Sequence, residues 1–145
     1  MREAKIESKS LPDVPSELIE VALHDLESVE RDERYVVKML DWHQPLPFHS
    51  ICNVCLAGSV MAKTLNVPPR EKFSPCDFPD MDTENKILAL NEFRRGYTGK
   101  ALSLMGYGLP RGVDDISNVR GYHSYRKGFF EDMRDLISRL REAGL

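Results

Sequence analysis

The stretch WHQPLPFHSICNVCLAG, from Trp42 to Gly58, decides how this chain folds. It holds two of the four histidines and two of the three cysteines, and Pro45 and Pro47 interrupt it. Proline locks φ and removes a backbone donor, so no helix runs through that pair. The residues after it read as a new helix. It starts near His49 or Ser50, with Ser50 as N-cap. It continues through ICNVCLAGSVMAKTLN and stops before Pro68-Pro69. Val54, Ala57, Met61 and Leu65 mark one face, and Cys55, Gly58, Ser59 and Ala62 form a strip of small side chains. A glycine inside a helix costs about 1 kcal/mol against alanine, so close packing of another helix at Gly58 is the natural compensation.

Three chemistries compete for this stretch. His43, His49, Cys52 and Cys55 give the spacing H-x5-H-x2-C-x2-C, a complete set of four nitrogen and sulfur donors for tetrahedral zinc. Alternatively, Cys52 in the first turn of a helix is a nucleophile candidate, because a helix N-terminus favours the thiolate. His43, His49 or His123 would then be its base. The third reading is structural: free cysteine packs as a small hydrophobe, and the stretch is the entry to a buried helix. This reading demands least of the residues, and zinc is the sharp alternative.

Working outward, Asp13 to Ser16 reads as a helix start with Pro15 in its first turn. Leu18, Ala22, Leu26 and Val29 then recur at helical spacing, flanked by Ile19 and Leu23. Tyr35 to Trp42 is open between helix and a short extended segment: β-branched Val36 and Val37 favour a strand, but no second strand is evident to pair with it. Beyond the proline-rich loop PPREKFSPCDFPDMD, Asp82 or Thr83 would cap the helix ENKILALNEFRR, which ends at Gly96. Thr98 would cap a short helix ending at Gly106, and the clearest helix runs from Ser124 to about Ala143. The expectation is an all-α domain of four to five helices packed around a central small-residue helix, with long Pro/Gly loops. Residues 13–145 would form this single helical domain, with residues 1–12 a flexible or loosely docked tail.

The chain has 145 residues, a net charge of -3 and no apolar run approaching membrane-spanning length. Three cysteines and no secretory leader pattern point to reduced thiols and a cytoplasmic location. Residues 1–50 carry six basic against eleven acidic side chains, whereas residues 86–127 carry eight basic against three acidic. Internal pairing of the two segments, or solvated faces, accounts for such a split; an anionic partner is the alternative. Tyr97, Tyr107, Tyr122 and Tyr125 lie in the basic segment. Tyrosine and arginine are enriched at protein–protein hot spots, which makes Arg94, Arg95, Tyr97, Arg120, Tyr122, Tyr125 and Arg126 the candidate partner-binding residues. Nucleic acid is the second choice of partner, disfavoured by a pI near 5.8. No P-loop or carboxylate-pair signature accompanies them.

DWH, CNVCLAGSVMAKTL and NKILALNEFRRG together resemble small uncharacterised bacteriophage and prophage proteins, over roughly residues 35–96. The resemblance implies a context of binding host or phage macromolecules and transfers no functional residue. The expectation is a non-enzymatic cytosolic interaction or regulatory protein with no cofactor, acting on a protein partner, with homodimerisation open. A zinc-stabilised binding module and a cysteine-dependent enzyme are the alternatives.

Overall fold

The computed structural model describes residues 10–145. Among the described residues the helices are α1 (Pro15–Glu30), α2 (Leu56–Lys63), α3 (Met81–Arg94), α4 (Thr98–Leu104) and α5 (Arg126–Glu142). The apolar stripe of α1 is buried along its length, from Leu18 and Ile19 to Leu26 and Val29. It packs against both α2 and α5, while α3 packs against α4 and α2. The stripe of α5 (Phe129, Phe130, Met133, Ile137, Leu140) closes the core from the other side. Asp80, not Asp82 or Thr83, caps α3: its carboxylate accepts from the Thr83 N–H at 2.7 Å. Gly96 ends α3 at φ +89°, as its position in the sequence requires.

The domain is mostly helical, but it is not purely all-α. Three short strands, β1 (Tyr35–Val37), β2 (His43–Pro45) and β3 (Cys52–Val54), form one sheet in the order β1-β3-β2. β1 runs parallel to β3, with Tyr35 opposite Cys52, and β2 runs antiparallel to β3, with His43 opposite Val54. One open reading is resolved here and one expectation is corrected. The Tyr35–Trp42 segment opens with a strand, and the helix expected from His49 or Ser50 starts only at Leu56. Cys-Asn-Val turns one side chain outward between two buried ones, the period of a strand. Its backbone groups find partners on both sides, in segments distant along the chain.

The small-residue strip also has a different use. Among the described residues, the closest approach to Gly58 is made by the backbone of Trp42, entering β2, and not by a helix. A Cβ on Gly58 would overlap the Trp42 carbonyl oxygen and stand 2.9 Å from its carbon. The same oxygen accepts from the Cys55 N–H at 3.4 Å.

The segment expected as a tail divides. Residues 1–9 lie outside the described residues. Leu11 is buried, and its carbonyl accepts from the Lys86 ammonium at 2.8 Å. That ammonium also pairs with Asp13 at 2.7 Å and Asp82 at 2.8 Å.

Candidate interaction site

Of the four candidate metal ligands, the fold brings two together. His43 on β2 and Cys52 on β3 are both buried, with Nδ1 and Sγ 3.6 Å apart. The Nδ1–H donates to the Glu71 carbonyl at 2.7 Å, which leaves Nε2 without a partner among the described residues. Burial holds this imidazole below its ordinary pKa, against the pull of the carbonyl bonds. Cys55 instead serves as the N-cap of α2, its Sγ accepting from the Gly58 N–H at 3.3 Å. His49 lies on the exposed loop between β2 and β3. Among the described residues, no three His, Cys, Asp or Glu side chains converge on a metal-ion position. Nor is either stretch cysteine activated: burial pushes the Cys52 thiol up to about 12 and raises that of Cys55. Cys52 sits on a strand and not in the first turn of a helix, which removes the geometry that singled it out as nucleophile.

The candidate partner-binding residues form separate groups, and most of their charge is spent inside the molecule. Arg126 grips Glu30 with two bonds of 2.7 and 2.6 Å, and the Tyr122 hydroxyl donates to the same carboxylate. Arg120 binds Asp132 at 2.9 and 3.1 Å and Glu131 at 3.2 Å, and its guanidinium lies 5.1 Å from the Tyr125 ring. Gly128 makes room for that stack: a Cβ there would stand 2.7 Å from both the Arg120 Nε and the Tyr125 ring. Arg94 is half-buried and donates to the Met39 carbonyl at 2.8 Å and to Asn91 at 3.0 Å. Arg95 and Tyr97 remain at the surface, stacked on one another at 5.0 Å. Pairs such as Arg126–Glu30 and Lys86–Asp13 join the basic segment to the acidic one, so internal neutralisation accounts for much of the charge split.

A cleft lies on a different part of the surface. Pro45 at the end of β2 and Leu46, His49, Ser50 and Ile51 of the β2–β3 loop line a cleft of about 730 Å³ together with Pro68, Pro69, Arg70, Glu71 and Arg34. The loop is a tight one. The Leu46 N–H donates to the Ile51 carbonyl at 2.9 Å, and the His49 N–H reaches back to the Leu46 carbonyl at 3.4 Å. Leu46-Pro47-Phe48-His49 therefore has the marks of a type II turn: proline at the second position and a positive φ, +66°, at the third. That third position belongs to glycine or asparagine, yet phenylalanine occupies it with its side chain fully exposed. A non-glycine residue held there costs roughly 1–3 kcal/mol. Full exposure of the ring forgoes a further burial gain of roughly 1.5–3 kcal/mol. In the sequence PLPF signals only a break in helix, because the sign of φ at Phe48 is a property of the folded turn.

No protein-family model, no curated protein and no solved structure matches this chain.

Proposed function

We propose that this protein is a non-enzymatic interaction protein, an accessory or regulatory factor of the kind its phage-like sequence suggests. In this reading it binds a protein partner through the face carrying the β2–β3 loop. The observation that carries the reading is Phe48, held at positive φ and fully exposed on the loop that lines the cleft of about 730 Å³. Strained positions of this kind persist where function uses them, and an exposed aromatic ring on a tight turn is a preformed anchor with little side-chain entropy to lose. The raised thiol pKa values and the capping role of Cys55 favour binding over thiol chemistry. Buried unpaired cysteines suit a reducing, cytoplasmic compartment.

The test is to place the photo-crosslinker p-benzoylphenylalanine at position 48 or at position 125 and irradiate cells of the native host. The expected result is a discrete adduct with another protein from position 48 and none from position 125. Phe48→Gly should raise the melting temperature while abolishing competition for that adduct. Adducts from position 125 alone would return the interface to the Tyr/Arg surface, and adducts only with the chain itself would make the surface a homodimer contact.

A further inference from the structure

We infer that the cleft lined by the β2–β3 loop and by Pro68 to Arg70 takes an extended acidic peptide segment with aliphatic side chains, supplied by the partner protein; the inference rests on the interaction reading above. The walls are apolar, from Pro45, Leu46 and Ile51 on one side and Pro68 and Pro69 on the other. The three prolines carry no N–H, so these walls present carbonyl acceptors and little to receive a carboxylate. Donors for an anion come from the arginines. The fork of Arg34 is occupied by Asp32, at 3.0 and 2.7 Å. Arg70 is exposed and has no ion-pair partner among the described residues, and it stands on the rim of the cleft. Lys63 holds Asp32 from the other side at 2.8 Å, so that carboxylate is neutralised twice. Glu71, the one acid in the lining, is itself engaged. The cleft therefore offers a guanidinium that is unpaired among the described residues, beside an aliphatic and proline surface. A peptide carboxylate fits the first by charge-assisted, bidentate bonding, and Leu or Ile side chains fit the second. Phe48 lies on the same loop, outside the lining of the cleft. The proline-rich walls favour a peptide over a nucleic-acid strand, which would need stacking platforms and several phosphate contacts.

The full chain, immobilised, is used to select from a random displayed library of dodecapeptides, and the winners are remade as fluorescent peptides for anisotropy. Enriched sequences should combine Asp or Glu with Leu, Ile or Val. Arg70→Glu, at an exposed position, should weaken them by about tenfold or more and leave the melting temperature unchanged. Phe48→Gly, a change outside the lining of the cleft, should leave the preference for acid unchanged. Basic winners, winners that bind Arg70→Glu as well as the wild type, or no enrichment at all would overturn the inference. So would salt-sensitive binding of a fluorescent dodecathymidylate that Arg70→Glu removes. If the selection fails while position 48 still crosslinks to a protein, the interaction reading stands and only the peptide chemistry falls. If both fail, the interaction reading falls with it.

Discussion

Gly58 and the Trp42 carbonyl occupy space that no side chain can share: the oxygen fills the place where a Cβ on Gly58 would be. Both neighbours are backbone, one in helix α2 and one at the entry to β2, so neither can swing aside. Gly58→Ala is expected to destabilise the fold by about 3 kcal/mol, the upper range for overpacking a core, despite alanine's better helix propensity. Gly108→Ala is the control, since nothing lies within 4 Å of its Cβ position. Urea denaturation of the two variants checks the contrast. A Gly58→Ala protein as stable as Gly108→Ala would mean that the sheet does not seat on α2 as described.

Glu30 gathers Arg126 and Tyr122 at the end of α1, and its carboxyl titrates below the ordinary 4.5, first because of the Arg126 bonds. A depressed carboxylate contributes stability above its unfolded pKa and loses it as pH falls through the folded value. Glu30→Gln should cost about 1 kcal/mol at pH 7, allowing for solvent screening of a partly exposed pair. The gap between the two proteins should stay constant above about pH 5.5 and close as pH falls below 4.5. Chemical denaturation across that range provides the measurement; a gap independent of pH would assign the loss to packing.

Asp25 behaves in the opposite sense. It is buried on α1, and burial raises its pKa above 3.8, even though the Thr64 hydroxyl donates to it at 2.5 Å. The folded carboxyl holds its proton more tightly than the unfolded one, so stability falls as pH rises from 3.8 through the folded value. Asparagine keeps an acceptor for Thr64 without the charge. Asp25→Asn is therefore expected to match or exceed wild-type stability at pH 7, with its advantage vanishing in acid. A variant that melts earlier at pH 7 would show that Lys63 and His24 make the charge itself stabilising.

The three thiols should divide one against two. Cys76 is exposed, with its Sγ 3.3 Å from the Ser74 hydroxyl, whereas Cys52 and Cys55 are buried and their thiols titrate high. Ellman's reagent at pH 8 should count one fast thiol in the native protein and three in denaturant. Two or more fast native thiols would place a cysteine of the hairpin at the surface and revive thiol chemistry there.

Helices α1, α3 and α5 were legible because their determinants are local: apolar residues at spacings of three and four, proline at an N-terminus, and a glycine that can take φ +89° after Phe93. In a helix every backbone partner is four residues away, so the chain need not know its distant neighbours. The reading failed between Tyr35 and Cys55 for the converse reason. A strand's hydrogen bonds go to other segments, and here Cys52 to Val54 must meet Tyr35 to Val37 on one side and His43 to Pro45 on the other. Cys-Asn-Val alone suits helix and strand alike. The same holds for the surface. Sequence order placed tyrosines and arginines together after Gly96, but only the packing of α1 against α5 brought Glu30 to Tyr122 and Arg126. Composition and local periodicity determined a mostly helical domain, with its breaks and most of its helix ends. The tertiary structure decided that Gly58 admits a carbonyl rather than a helix, that the arginines spend their charge internally, and that Phe48 remains outside, because each depends on which remote backbone or charge arrives beside it.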